Sequence, residues 1–175
     1  MIDTAFAADL HADAAHPDLA DRLALFGQFV GEWRMRVRFY DPDGRCVYDE
    51  PGRWTFGWVL DGRAVQDVLS GSDVQSGATD AGHRRIGSSM RTLDATGDGW
   101  HVVWFGASSG SFVVLHAEAD GDGILLESEP EPDGTINRWR FDDITPDSFA
   151  WSGRESRDGG RTWVLRQRME GDRVS

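Results

Sequence analysis

The spacing of apolar residues changes once along the chain, from a helical period to a period of two. Apolar side chains recur at three- and four-residue steps over residues 17–30, which predicts a short amphipathic helix. These positions are Leu19, Leu23, Phe26 and Val30. Pro17 suits the first helical turn, and Gly31 is a typical end signal. Residues 1–16 show no such period, so we expect a mobile N-terminal arm before a domain that spans residues 17–175.

Beyond Gly31, apolar and polar residues alternate in short runs that are separated by turn residues such as Asp41-Pro42-Asp43-Gly44. The runs predict strands over residues 33–40, 54–60, 63–70, 85–93, 100–106, 111–119, 123–129, 134–142, 148–155 and 162–170. A meander of this length would expose long edges as an open sheet. We therefore predict an all-β fold, a single antiparallel up-and-down β-barrel of about ten strands with a short N-terminal helix.

The segment Gly31-Glu32-Trp33 resembles the Gly-x-Trp opening of calycin-like (lipocalin-like) barrels. The resemblance implies that Trp33 closes one end of the barrel and that an arginine near the last strand stacks on it. Arg166, Arg168 and Arg173 are the candidates for that arginine, and the spacing does not choose between them.

A longer pattern, in residues 39–44, 54–67 and 158–163, resembles a group of uncharacterised bacterial calycin-like barrel proteins. That resemblance implies a fold and a cavity, and it supplies no catalytic residues. Nitrobindin-like haem barrels share this fold and bind haem through a histidine in the C-terminal strands. No histidine follows His116 in this chain, so we predict no haem and no other cofactor.

The strand pattern also predicts which polar side chains point into the barrel. If charged residues such as Asp67 and Arg91 mark the outer face, alternation places Gln66, Ser88, Asn137 and Gln167 inside. A packed core would avoid such groups, because each unsatisfied polar group costs about 1–3 kcal/mol when buried. The predicted ligand-binding residues are Trp58, Gln66, Ser88, Met90, Trp104, His116, Asn137, Trp139 and Gln167.

These residues favour one function and leave two alternatives. The first hypothesis is that the cavity binds a small, partly apolar molecule such as an aromatic compound. The second is a cofactor-free isomerase, cyclase or hydrolase that uses His116 as its general acid or base. Its premise is that His116 shares the inward phase of Phe112 and Val114. The third is a filled barrel that acts as a homodimeric interaction module.

Composition excludes several other classes of function. The formal net charge is −12, which argues against a nucleic-acid surface and an anionic membrane surface. The basic residues are all arginine, which excludes Schiff-base lysine chemistry and a Walker-type phosphate lysine. No apolar run is long enough to span a membrane, and no secretory signal precedes the first strand. With Cys46 as the lone cysteine, these features predict a cytoplasmic protein. His11 and His16 lie with Asp9 and Asp13 in the predicted arm, and a mobile segment provides no preorganised site, so no metal is predicted.

Two motifs resemble catalytic signatures but are interpreted as structural turns. Residues 106–110 match G-x-S-x-G, yet a strand follows where a nucleophile elbow requires a helix. Residues 156–163 match the Asp-box S-x-D-x-G-x-T-W of sialidase propellers. A single copy predicts a stabilised hairpin, because a propeller would need one copy in each blade.

Overall fold

A computed structural model of the protein describes residues 4–72, 83–95, 97, 99–107 and 109–174. The N-terminal elements are helix α1 (Thr4–Leu10), strand β1 (His11–Ala12), a 3-10 turn (Pro17–Leu19) and helix α2 (Ala20–Gly27). The strands that follow are β2 (Gly31–Tyr40), β3 (Cys46–Val59), β4 (Ala64–Ser72), β5 (His83–Leu93), β6 (Trp100–Gly106), β7 (Ser111–Asp120), β8 (Gly123–Glu127), β9 (Ile136–Asp142), β10 (Ser148–Ser156) and β11 (Val164–Arg173). Ser108 of the G-x-S-x-G segment and most of the predicted polar loop at 71–83 lie outside the described residues.

Strands β2 to β11 form a closed antiparallel barrel, which confirms the predicted fold class. Each strand pairs with its neighbours in the sequence, and β11 pairs with β2, for example at Met169 and Val37. Strands β3 and β4 are joined in the same way, with Trp54 opposite Leu69. Because the ring of hydrogen bonds is complete, these ten strands leave no unpaired edge of the barrel.

One end of the barrel is packed solid by helix α2 and aromatic side chains. Leu23 and Phe26 of the helix are fully buried, as are the neighbouring Phe29 and Trp100. The Phe26 and Trp100 rings meet edge to face with their centres 4.9 Å apart. Burial of each such side chain is worth about 1.5–3 kcal/mol. The apolar face of the predicted helix therefore closes this end.

Trp33 plugs the same end, as the Gly-x-Trp resemblance implied. Its indole N–H donates to the carbonyl oxygen of Phe29 at 2.7 Å. The guanidinium carbon of Arg173 lies 4.1 Å from the Trp33 ring centre. Arg173 also donates to the carbonyl oxygens of Val30 (2.9 Å) and Gln28 (2.7 Å). Among the three arginine candidates, the structure therefore selects Arg173.

The Asp-box forms a hydrogen-bonded turn between β10 and β11, as predicted. Asp158 Oδ1 accepts from the backbone N–H groups of Arg161 (3.0 Å) and Thr162 (2.9 Å). The hydroxyl of Thr162 donates to Asp158 Oδ2 at 2.7 Å, and that of Ser156 donates to Oδ1 at 2.9 Å. These donors, led by Thr162, hold the pKa of Asp158 well below its usual range.

The N-terminal segment contains two elements that the sequence did not predict. Helix α1 leads into β1, which pairs with the end of β3 through His11 and Val59. The mobility of residues 1–16, and their separation from the barrel domain, stay predictions. No helix in the described ranges combines the length and apolar character needed to cross a bilayer.

Candidate functional site

The half of the barrel opposite helix α2 encloses a cavity of about 240 Å³. Its lining combines aromatic and aliphatic side chains with a few polar groups. The lining residues are Phe39, Trp54, Leu69, Ile86, Ser89, Arg91, Trp104, Ser109, Ser111, Trp139, Trp151, Gln167 and Met169. Ligand pockets usually start near ~300 Å³, whereas an engineered cavity of roughly 150 Å³ holds benzene. A cavity of this volume can hold one substituted ring, but it cannot fully enclose a large ligand.

Four tryptophans form most of the aromatic wall. The ring centres of Trp104 and Trp139 are 6.3 Å apart at an interplanar angle of 87°. Trp151 lies 5.5 Å from Trp139 and 6.2 Å from Trp54, again with strongly tilted rings. Edge-to-face pairs of this kind fix each ring against its neighbour. The wall therefore presents a preformed aromatic surface to the cavity.

A buried ion pair forms the cavity floor. Arg91 Nη1 lies 2.5 Å from Asp67 Oδ2, and both side chains are at most 2% exposed. Asp67 is held by the backbone N–H of Ser89, which donates to its Oδ1 at 2.8 Å. The Arg91 guanidinium lies between the rings of Phe26 and Phe56, 5.1 Å and 5.2 Å from their centres. This floor separates the cavity from the aromatic packing above helix α2.

Two buried donors at the cavity lack partners within the described part of the chain. They are the Nε of Arg91 and the indole nitrogen of Trp54. Arg91 Nη1 is close to Asp67, but its angle is not that of a hydrogen bond, so the contact is an ion pair. Buried donors are almost always paired in folded proteins, and an unpaired one costs about 1–3 kcal/mol. Both groups belong to residues that line the cavity.

The polar groups on the side of the cavity away from Arg91 form weaker contacts than the buried ion pair. The Trp104 indole N–H donates to the Ser111 hydroxyl at 3.1 Å, and the Ser109 hydroxyl donates to the same oxygen at 2.9 Å. The amide nitrogen of Gln167 contacts the Sδ of Met169 at 3.6 Å, and a thioether is a weak acceptor. The Gln167 amide is thus poised for a stronger partner.

Three predicted site residues lie together in the cavity wall: Trp104, Trp139 and Gln167. Two others lie away from it. Trp58 packs on Gly27 of helix α2, where an added Cβ would come within 2.6 Å of its ring. The amide of Asn137 donates to Glu131 at 2.7 Å outside the cavity lining.

The predicted inward orientation of Gln66, Ser88 and Met90 is wrong. Gln66 and Ser88 hydrogen-bond each other at 3.1 Å on the outer side of the barrel wall. Buried side chains alternate with them on these strands, namely Val65, Asp67 and Leu69 on β4 and Ser89 and Arg91 on β5. The premise that charged residues mark the outer face fails here because the two charges neutralise each other inside.

His116 also faces outward, which corrects the second predicted orientation. The side chain of His116 is exposed, whereas Leu115 and Ala117 beside it are buried. Val113 packs on the core from the same inner face. The enzyme hypothesis placed its general acid or base inside the cavity, and His116 does not lie there. Because Val113, Leu115 and Ala117 are the inward-facing residues of β7, the mechanism that placed His116 inside the cavity does not apply.

A sequence signal for the missed residues does exist. Val65, Asp67 and Leu69 share one phase, so an apolar pair flanks the carboxylate. Arg91 has the same relation to Leu93. When two opposite charges each alternate with apolar residues on adjacent strands, they favour a buried ion pair. A single buried charge would be too costly, whereas a paired one is compensated.

No sequence family and no curated protein matches the chain. Among solved structures, an S-type phycobiliprotein lyase from Guillardia theta matches with a TM-score of 0.57 at 13% identity, over 86% of this chain and 90% of that one. The protein EF1p2_mFAP2b bound to DFHBI matches at 0.36 and 13%, over 87% and 99%. A DUF3598 protein of unknown function from Nostoc punctiforme matches at 0.27 and 13%, also over 87% and 99%. The first likeness shows the fold, a closed antiparallel barrel of ten strands.

Proposed function

We propose that the protein binds a small, partly apolar molecule in the barrel cavity, with an aromatic ring against the tryptophans. The observation that carries the proposal is the pair of buried donors, Arg91 Nε and Trp54 Nε1, on residues of a mostly apolar cavity lining. An apolar pocket with a few placed polar groups is the usual form of a small-molecule site.

The unpaired donors indicate what the ligand must carry. A carbonyl, carboxylate or phenolate oxygen would satisfy an N–H group that otherwise costs about 1–3 kcal/mol. Because Asp67 already compensates the charge of Arg91, a neutral carbonyl can serve as well as an anion. We therefore expect an aromatic compound of one substituted ring with an oxygen acceptor.

The proposal is tested first by native mass spectrometry of freshly purified protein. A reproducible added mass that is lost on denaturation would identify a bound ligand. NMR titrations with benzoate, benzamide and toluene then separate the contribution of the ring from that of the oxygen acceptor. The three probes share one aromatic ring, and toluene alone lacks the acceptor. Benzoate and benzamide should bind more tightly than toluene. Equal binding of all three, or none by any, would refute the role of the buried donors.

Two glutamine substitutions provide a matched control. Gln167→Phe fills the cavity, whereas Gln66→Phe places the same side chain on the outer face. We expect Gln167→Phe to weaken benzoate binding at least about tenfold, which corresponds to ~1.4 kcal/mol. Gln66→Phe should leave it unchanged. The reverse result would locate binding outside the cavity.

We also place the chain among the uncharacterised bacterial calycin-like barrels and in the cytoplasm. The stacking of Arg173 on Trp33 supports the first assignment, because it completes the pattern that the resemblance implied. The exposed thiol of Cys46 supports the second, since a reducing compartment preserves an accessible thiol. Localisation of a fluorescent fusion in the source organism tests the second assignment.

Homodimer formation is a second candidate function, favoured by one surface. Phe105, Phe112 and Val114 are at least half exposed side by side on β6 and β7, with the two phenylalanine rings 5.3 Å apart. In a two-fold symmetric dimer, the same patch of each copy meets its counterpart. Two copies with a net charge of −12 repel each other, and an uncharged patch is where they can meet with the least repulsion. Sedimentation of Phe105→Ser/Phe112→Ser, with Val47→Ser as control, should show loss of dimer in the first variant alone.

A further inference from the structure

Three metal-ligating side chains converge on the outer wall of the barrel, on the side away from the cavity. Asp94, His101 and His116 each offer a donor atom, and these atoms lie within 4.8 Å of one another. Asp94 Oδ2 and His101 Nε2 are 3.4 Å apart. The two imidazole centres are separated by 6.0 Å with the rings at 68°. The cluster is distinct from the cavity, whose lining includes none of these residues.

The backbone brings the two histidines together without any help from the loops. His101 of β6 lies directly opposite His116 of β7 in the antiparallel register. Directly paired residues project from the same face with their Cβ atoms about 4.5–5.5 Å apart. The fold therefore fixes two of the three donors through rigid strands, which is the more accurate way to build a site.

The third donor is held by a short closed loop between β5 and β6. The backbone N–H of Asp94 donates to the carbonyl oxygen of Gly99 at 2.8 Å, which closes the loop. Arg22 of helix α2 donates to the Asp94 carbonyl oxygen at 3.2 Å. A Cβ at Gly99 would lie 2.3 Å from the His116 ring, so this glycine leaves the space that the imidazole occupies. The three side chains are thus positioned from two strands and one anchored loop.

We propose that Asp94, His101 and His116 bind a divalent first-row transition metal such as Zn²⁺. Zinc–ligand distances of about 2.0–2.2 Å require donor separations of roughly 3.3–4 Å, and the Asp94–His101 separation of 3.4 Å already lies in this range. Two imidazoles with one carboxylate suit zinc, copper or nickel, whereas Mg²⁺ and Ca²⁺ prefer oxygen ligands. The remaining positions face solvent, because His101 and His116 are exposed. The metal would tie the β5–β6 loop to β7 across the outer wall.

Calorimetric titration with ZnCl₂ at pH 7.5 tests the proposal on tag-free, full-length protein. The background carries Cys46→Ser, because the thiol of Cys46 is exposed and competes for zinc. We expect one equivalent of zinc to bind and to raise the melting temperature. His101→Ala and His116→Ala should each weaken binding at least about tenfold. The matched control is His11→Ala, which removes an exposed histidine that pairs with Asp13 elsewhere.

NMR of the imidazole rings supplies an independent measurement. Zinc should shift the resonances of His101 and His116 and leave those of His11 unchanged. The proposal is overturned if the Cys46→Ser parent protein binds no zinc, if the His101 and His116 variants bind as tightly as that parent, or if His11→Ala removes binding. Circular dichroism of each variant establishes that the barrel is intact before the affinities are compared.

Discussion

The buried ion pair at the cavity floor makes Asp67→Asn the most informative single substitution. The change keeps the shape of the side chain and the acceptor for the Ser89 N–H, but it leaves the Arg91 guanidinium without its counter-charge. Removal of one partner of a buried pair costs about 3–5 kcal/mol. For a chain of this size, each kcal/mol lowers the melting temperature by roughly 2–4 °C, so we expect a loss of roughly 6–20 °C.

Urea unfolding of a double-mutant cycle measures the interaction directly. Arg91→Met and Asp67→Asn should each be strongly destabilising, because each leaves one charge of the pair uncompensated. The double variant should lose less stability than the sum of the two, by about 0.5–3 kcal/mol of coupling. A cost below ~1 kcal/mol for Asp67→Asn, or simple additivity of the two changes, would refute a buried, mutually dependent pair.

The remaining predictions concern the two ends and the wall of the barrel. Arg173→Ala should destabilise the fold by about 2 kcal/mol in urea unfolding, because it removes the Trp33 stack and charge-assisted bonds to carbonyl oxygens; an effect no larger than that of Arg173→Lys would contradict the planar stacking argument. Asp158→Asn should flatten the acid limb of the stability curve: a lowered folded pKa means stability that is present above the ordinary carboxyl pKa and lost as pH falls through the folded value, so an unchanged limb would exclude this carboxylate. Gly87→Ala should disturb the β5–β6 pairing and displace the Trp104 ring, since the added Cβ would lie 2.3 Å from the Phe105 carbonyl oxygen and 2.5 Å from that ring; an unaltered near-UV spectrum would contradict this close approach.

Alternation and turn residues predicted nearly all of the strands, because a half-buried strand must repeat every two residues. The Asp41–Gly44 turn formed as expected, with Gly44 at a φ of 80°. The start of β3 at Cys46 was missed, since the residues before Trp54 lack apolar alternation. These residues form a strand because β2 offers its backbone hydrogen-bonding groups to them and because ion pairs such as that of Arg38 with the opposite Asp49 join the two strands.

The inward-facing residues of the candidate site were predictable on strands whose inner face is apolar. They were not predictable on strands whose inner face carries a charged residue. Trp104, Trp139 and Gln167 line the cavity because each lies in phase with neighbouring core residues, and their role in ligand binding stays a prediction. Arg91 was placed outside because a lone arginine almost never lies in a core. Its burial depends on Asp67 of the adjacent strand β4, so the signal emerges only when the apolar phases of both strands are compared.

The tilted tryptophan wall gives the cavity an optical signal of its own. The Trp139 ring centre lies 6.3 Å from that of Trp104 and 5.5 Å from that of Trp151, close enough for their intense far-ultraviolet transitions to couple in the circular dichroism spectrum. A molecule that enters the cavity changes the surroundings of all of these indoles at once, and an absorbing molecule would quench their emission. Occupancy can therefore be followed on the unlabelled protein, and the same coupling makes the barrel a natural starting point for an intrinsic fluorescent sensor.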